Sequence, residues 1–267
     1  MNSTRPLRLL QVTDPHLFAD PTRRIYGVNT AQSFGSVLAD ALGGGVPPPD
    51  AILVTGDIGD DMSAGAYGVF REAIGGLGAP VLCLPGNHDA PALMAELLNS
   101  DGFQYCGSAQ LGAWGLVLLD THVDDDPAGL LAASELERLE SSLREFADRP
   151  VLVCLHHLPL PTGSEWLDGY GLRNAAELLS LLGRFPQVKV VLAGHVHQAF
   201  DQQYGPIRVL ATPSTCAQFT PGTATCVMDL RPPGYRWLSL SPDGSIRTEV
   251  MWLQDWLITK RPRDDRI

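Results

Sequence analysis

The chain contains no Cys-x-x-Cys pair, no Gly-x-Ser-x-Gly and no Gly-x-x-x-x-Gly-Lys. These absences set aside thiolate-rich zinc sites, serine hydrolases of the nucleophile-elbow type and Walker-type phosphate loops. Cysteine is sparse: Cys83, Cys106, Cys154, Cys216 and Cys226 are odd in number and lie mostly in apolar segments, the pattern of reduced, packed thiols. No uninterrupted apolar run approaches the roughly 20 residues of a membrane span. Met1 to Arg8 leads straight into a strand-like segment, so no cleavable leader and no membrane partner are expected and the chain is read as cytoplasmic. Positive charge is also short, with 19 Lys and Arg against 30 Asp and Glu for a net charge of -11, which argues against bulk nucleic acid as a partner. A small anionic substrate is still compatible, because bound cations would dominate the local field.

What is present is an alternation. Short apolar, β-branched runs at 7–12, 51–55, 81–84, 115–119, 151–155 and 188–193 are separated by helix-patterned segments at 29–42, 63–77, 92–98, 134–146 and 174–185. That rhythm predicts an α/β layered fold. Ser134 with Glu137, and Asn174 with Glu177, are expected to cap two of the helices. After about His197 only strands and turns are expected, at 207–211, 224–230, 235–240 and 246–252, as antiparallel sheet. With no repeat and only short connectors, residues 1–267 read as one domain with a charged, frayed tail at about 260–267.

The polar clusters follow predicted strands, where α/β sheets present their ligand sites. Asp14 and His16 follow the first run at i and i+2, a spacing that in extended backbone sends both side chains to one face. Gly56-Asp57 ends the second run, and Gly86-Asn87-His88-Asp89 follows the third. His156-His157 ends the fifth, and Gly194-His195-Val196-His197 follows the sixth. Any one of these is compatible with an ordinary turn. Together they gather carboxylates, an amide oxygen and imidazoles without a thiolate, a donor set suited to Mn, Fe, Zn or Co and poor for Mg or Ca. Alternation alone leaves open which of His156 and His157 points inward.

The ordered set Asp14-x-His16, Gly56-Asp57, Gly86-Asn87-His88-Asp89, His156 and Gly194-His195-x-His197 resembles the calcineurin-like metallophosphoesterases. The resemblance implies a four-layer α-β-β-α sandwich and two divalent ions, Fe or Mn foremost, with Zn or Co possible. In it Asp14, His16, Asp57 and His197 hold one ion, and Asp57, Asn87, His156 and His195 the other. Tyr26 to Thr30, His156-His157-Leu158-Pro159, Ala211 to Phe219 and Pro233 to Leu238 further resemble the bacterial class III phosphodiesterases of 3',5'-cyclic AMP, over about Leu7 to Val250. That narrower resemblance implies a small cyclic nucleotide as substrate, hydrolysis to 5'-AMP, and a homodimer as one arrangement. A broad phosphodiesterase acting on 2',3'-cyclic nucleotides or glycerophosphodiesters is the alternative, and a non-catalytic scaffold of the same fold is a further one.

His88 is expected to donate a proton to the leaving oxygen, with Asp89 orienting it. His16, Asn87, His88, His157 and His197 are the expected substrate contacts, with His157 alternatively a packing residue. Asp124-Asp125-Asp126 reads as a solvated run, Trp166, Trp237, Trp252 and Trp256 as packing residues, and His122 has no assigned role.

Overall fold

A computed structural model of the chain describes residues 5–254 and residue 256; the expected tail at 260–267 lies outside them. In chain order the first elements are β1 (Leu7–Val12), β2 (Arg24–Ile25), β3 (Val28–Asn29), α1 (Thr30–Leu42), β4 (Ala51–Thr55) and α2 (Ala64–Ile74). Next come β5 (Val81–Leu84), α3 (Pro91–Leu97), β6 (Phe103–Tyr105), β7 (Gly107–Leu111), β8 (Trp114–Leu118) and α4 (Ala133–Glu145). They are followed by β9 (Val151–Cys154), α5 (Glu165–Asp168), α6 (Ala175–Gly183), β10 (Val188–Ala193), β11 (Phe200–Tyr204) and β12 (Ile207–Ala211). The last are β13 (Gln218–Phe219), β14 (Met228–Asp229), β15 (Gly234–Leu240) and β16 (Ile246–Trp252).

Two six-stranded sheets result, ordered β16-β15-β1-β4-β5-β6 and β11-β12-β10-β9-β8-β7. Their centres are parallel, β1 with β4 with β5 and β8 with β9 with β10, so all the site-bearing loops leave from the same ends of the strands. Strand alternation builds the layers. On β1, Leu10 and Val12 join Phe34, Val37, Tyr67 and Phe70 of α1 and α2 in one core, whereas Leu9 faces the other sheet. Val151, Val153 and Val191 pack against Leu139, Leu143, Leu178 and Leu182 of α4 and α6. Between the sheets Leu9, Leu53 and Leu82 meet Leu152, Val190, Leu192 and Leu210. The molecule is therefore the α-β-β-α sandwich that the resemblance implies. Among the described residues no helix is long and apolar enough to cross a membrane.

Several local expectations need correction. Helix α4 starts one residue early, at Ala133 with Ala132 as its N-cap and no side-chain cap, so Ser134 lies inside the helix. Asn174 does sit at the N-cap of α6, but its amide is spent on both backbone groups of Leu131, at 3.0 Å each, and on Glu177. The caps that form are Asn29 on Gln32 N and Ser63 on Ala66 N. The strand expected at 224–230 shrinks to Met228–Asp229, because β13 offers only Gln218 and Phe219 to pair with it. The edge strands β7 and β11 went unread; β11 exposes four of its five residues and so carries no apolar alternation. Strand β12 lies parallel to β10, so the second half is not wholly antiparallel.

Candidate metal centre

The seven residues expected to hold metal converge beyond the strand ends, by a route the strand periodicity did not suggest. Asp14 (φ 51°), His16 (φ 48°), Asp57 (φ 51°), His195 (φ 67°) and His197 (φ 48°) all adopt the left-handed backbone conformation that non-glycine residues avoid. The i and i+2 pairs are thus not on extended strand; they sit on tight turns after it. Such residues cost about 1–3 kcal/mol each and persist where surrounding structure fixes them. Here the fixing bonds are Asp14 N to Gly56 O (3.0 Å), His16 N to Asp57 O (2.9 Å), His195 N to Asp14 Oδ1 (3.1 Å) and His88 N to Asp57 Oδ1 (2.9 Å). The backbone approaches so closely that a Cβ on Gly86 would lie 2.1 Å from Asp57 Oδ1, and one on Gly194 would lie 2.3 Å from Thr13 Oγ1.

Three of the imidazoles share one arrangement: an outward nitrogen donates to an anchor and the inward nitrogen is left facing the cluster. His156 Nδ1 donates to Thr55 O (2.7 Å), His197 Nδ1 to Ala217 O (2.7 Å) and His16 Nδ1 to Asp60 Oδ1 (3.2 Å). The freed Nε2 atoms then face acceptors. His16 Nε2 and His197 Nε2 are 3.3 Å apart, and His156 Nε2 lies 3.2 Å from Asn87 Oδ1 and 3.4 Å from Asp57 Oδ2. His197 Nε2 is 3.3 Å from Asp14 Oδ1, and His195 Nδ1 is 3.0 Å from Asn87 Oδ1. So many buried nitrogen and oxygen lone pairs turned to one place are held together only by shared positive charge, a proton or a cation. His195 faces the cluster with its Nδ1, and its other nitrogen, Nε2, is buried without a hydrogen-bond partner, so neither nitrogen is absorbed by an anchoring bond to the backbone.

Charge argues the same way. Burial pushes the Asp14 and Asp57 carboxyls up, but the imidazoles beside them, His197 and His156 respectively, outweigh it and hold both below the usual range. Burial pulls His156 down, yet Asp57 and Asp14 raise it to about 9. The cluster thus draws positive charge to itself. Burial and the neighbouring His156 take His195 down to about 3, leaving it a neutral donor. Asp57 is the carboxylate between the two halves: its Oδ2 is 3.7 Å from His16 Nε2 and 3.4 Å from His156 Nε2.

The expectation for Asp89 is corrected, and for His157 the packing alternative holds. Asp89 does not orient His88; its carboxylate turns back to accept Ile58 N, Gly59 N, Gly86 N and the Tyr67 hydroxyl, a structural role that ties the β5 loop to the β4 loop. The carboxylate beside His88 is Asp60, whose Oδ1 is 3.2 Å from both His88 Nδ1 and His16 Nδ1. Asp60 was missed, although it stands three residues after Asp57 in Gly56-Asp57-Ile58-Gly59-Asp60. His157 is wholly buried, accepts from Thr121 Oγ1 (2.8 Å) and donates to Pro127 O (3.2 Å), so both its nitrogens are spent and it does not face the cleft. His122 gains a place: its Nδ1 donates to Gly86 O (2.8 Å).

His16, Asn87, His88 and His197 line a cleft of about 330 Å³ above the cluster. Its wall is aromatic. Phe219 stacks on His197 at 4.6 Å and 22°, with Trp166 edge-on to it at 5.0 Å and Tyr26 at 6.1 Å. Trp166 therefore faces the cleft, whereas Trp237 and Trp252 lie under the guanidinium groups of Arg8 and Arg231 and Trp256 packs on a core, as expected. The 211–219 segment is the support of this corner: Ser214 Oγ donates to Asp14 O (2.7 Å), Thr215 N to Thr13 O (3.0 Å), and Ala217 O holds His197. Asp124 and Asp125 are exposed, while Asp126 takes Arg173. No disulfide forms among the described residues, and burial raises the thiols of Cys83, Cys106 and Cys154.

Comparison with known proteins agrees with this geometry. The chain is 43% identical over 250 residues to the 3',5'-cyclic adenosine monophosphate phosphodiesterase CpdA of Escherichia coli (strain K12), covering 93% of this chain and 90% of that protein. It is 40% identical over 248 residues to the protein of the same name from Pseudomonas aeruginosa, covering 92% and 90%. Among solved structures, a dimetal phosphatase from Danio rerio superposes with a TM-score of 0.66 at 14% identity over 93% of this chain and 99% of that one, which bears on the fold alone. Residues 7–199 match the family described as calcineurin-like phosphoesterase, and the chain belongs to that family.

Proposed function

We propose that this chain hydrolyses 3',5'-cyclic AMP to 5'-AMP with two divalent cations. The observation that carries the reading is the set of inward-turned lone pairs on His16, His156 and His197 beside Asp14, Asp57 and Asn87, at the floor of an aromatic-walled cleft. Asp14, His16, Asp57 and His197 hold one cation; Asp57, Asn87, His156 and His195 hold the other. The nitrogen and oxygen donors suit Fe or Mn first, and also Zn or Co. When bound, such a pair supplies Lewis-acid charge for the phosphate oxygens and lowers the pKa of a water between them.

The chain's own residues do the rest. His88 stands at the rim of the cleft with a side chain 45% exposed, the most accessible imidazole of the group. In the cation-free chain burial pulls it down, while Asp57 and Asp60 raise it to about 9; Asp60, which is outside the proposed ligand set, continues to favour the imidazolium that would deliver a proton to the leaving 3'-oxygen. Asp60 is a positioning residue that holds the His88 Nδ1 and thereby aims its other nitrogen. The Trp166, Phe219 and Tyr26 wall is where the adenine lies, since stacking on an aromatic face contributes about 1–3 kcal/mol per base. The support beyond geometry is the shared name of relatives 40–43% identical over nearly the whole chain. Action in the cytoplasm is part of this proposal.

The test is product analysis with Mn²⁺-loaded protein. 3',5'-Cyclic AMP should be converted to 5'-AMP faster than 2',3'-cyclic AMP or an aryl diester is hydrolysed. Trp166→Ala should raise KM for 3',5'-cyclic AMP about tenfold without changing KM for the base-less ribose 3',5'-cyclic phosphate. Strong preference for another diester, with metal bound, would overturn the substrate and leave the chemistry standing.

A further inference from the structure

Behind the cluster, between the two sheets, lies a buried arginine. Arg236 on β15 pairs in register with Gln11 of β1 and is 2% exposed. Its Nη2 donates to Ala211 O (2.8 Å) and Phe200 O (3.3 Å), and its Nη1 to Thr248 Oγ1 (3.0 Å). The remaining nitrogen, Nε, reaches Thr212 Oγ1 at 2.9 Å. From Thr212 the hydrogen bonds continue without a gap. Thr212 Oγ1 donates to Gln11 Oε1, Gln11 Nε2 to Thr55 Oγ1 (2.8 Å), Thr55 Oγ1 to Thr13 Oγ1 (2.8 Å), and Thr13 Oγ1 to Asp14 Oδ2 (2.6 Å). Gln11, Thr13 and Thr212 are 0% exposed and Thr55 1%, so water does not compete along the way.

The direction of this chain is fixed at Gln11 and at Asp14. A guanidinium only donates and an ionised carboxylate only accepts. Gln11 Nε2 also donates to Ala193 O (3.0 Å), which only an amide nitrogen can do, so the Gln11 carbonyl oxygen faces Thr212 and takes its proton while the amide N–H faces Thr55. Thr55 in turn hands its proton to Thr13, and Thr13 hands its own onward. That last hydroxyl has a second acceptor within reach, Thr55 O at 3.3 Å, so it has two places to point. Bonds arranged head to tail also polarise one another.

We infer that Arg236, acting through Thr212, Gln11, Thr55 and Thr13, is a positioning residue for Asp14. It keeps the Thr13 hydroxyl on Oδ2, so that Oδ1 stays turned towards His197 Nε2 (3.3 Å) and His156 Nε2 (4.0 Å). The inference rests on the proposed reading of Asp14 as a cation ligand. The competing role is mechanical: Arg236 as a staple between sheets through the Ala211 and Phe200 carbonyls.

Thr212→Val cuts the chain one bond from Arg236 while leaving the staple bonds intact. Metal-stripped protein is titrated with Mn²⁺ by calorimetry, and the thermal midpoint of each apo protein is recorded alongside. T212V should weaken Mn²⁺ binding about tenfold or more, the usual range for groups that orient a ligand, and T212S should restore it. Thr13→Val should weaken it at least as much, and the T13V/T212V double variant no further than T13V alone. Thr248→Val, which touches Arg236 off the route, should bind Mn²⁺ as the wild type does. Wild-type affinity in T212V, or losses that add in the double variant, overturns the inference. If T212V does not fold, Thr55→Val makes the same cut and is read the same way. A wild-type chain that binds no Mn²⁺ removes the metal reading itself, whereas normal wild-type binding that T212V leaves unaltered removes only the role of Arg236.

Discussion

Three imidazoles at the floor of the cleft each spend one nitrogen to aim the other. His156 leans on the Thr55 carbonyl, His197 on that of Ala217 and His16 on Asp60, and the result is a set of lone pairs with nothing but one another to face. His88 differs, being paired with Asp60 and half open to solvent. His88→Ala should keep its metal by elemental analysis and lose about 10²- to 10⁴-fold in kcat; an unchanged kcat would make it a bystander. The protonated form is the donor, so kcat/KM should fall as pH rises through the His88 pKa. Asp60→Asn removes an anion that raises this pKa, and its alkaline limb should therefore lie at lower pH than in the wild type. Identical limbs would separate Asp60 from the reaction. At this scale the sequence was legible for residue type and position, because strand-end Asp, Asn and His are few and distinctive. It was illegible where adjacency misled: Asp89 is next to His88 in the chain, yet its carboxylate folds back on Ile58, Gly59 and Gly86 N–H groups, leaving the pairing to Asp60.

At the scale of elements, the site is a property of the turns that end β1, β4, β5 and β10. Five of its residues take left-handed backbone, and the glycines among them are there for space. A methyl on Gly86 has to displace either the Asp57 carboxylate, 2.1 Å away, or the Asp57 backbone N at 2.5 Å. Gly86→Ala should accordingly lose most of its bound metal and part of its stability, measured by elemental analysis and thermal unfolding; full metal content would contradict the packing argument. The buried strands were readable as apolar runs and their helices as 3.6-residue patterns. The polar edge strand β11, the short β13–β14 pair and the uncapped start of α4 were not, because tertiary pairing, not local pattern, creates them. The same limit hid the turn geometry: i and i+2 spacing suggested one face of a strand, and the side chains meet because the chain curls instead.

For the whole molecule, two sheets packed face to face bring loops from distant parts of the sequence within hydrogen-bonding distance, Asp14 with His195 across 181 positions. That gathers buried carboxylates in a chain already at net charge -11, and cations are what balance them. Metal should consequently act as a folding ligand. At a thousandfold excess over Kd, Mn²⁺ should raise the thermal midpoint of stripped protein by on the order of 10 °C; a midpoint indifferent to Mn²⁺ would deny the coupling. The most direct test of the central claim is anomalous diffraction at the Mn edge from crystals of the Mn²⁺-loaded protein. The account predicts two peaks at the strand ends, one ligated by Asp14, His16 and His197, the other by Asn87, His156 and His195, with Asp57 touching both. A single peak, peaks elsewhere, or Asp57 bound to neither would contradict it.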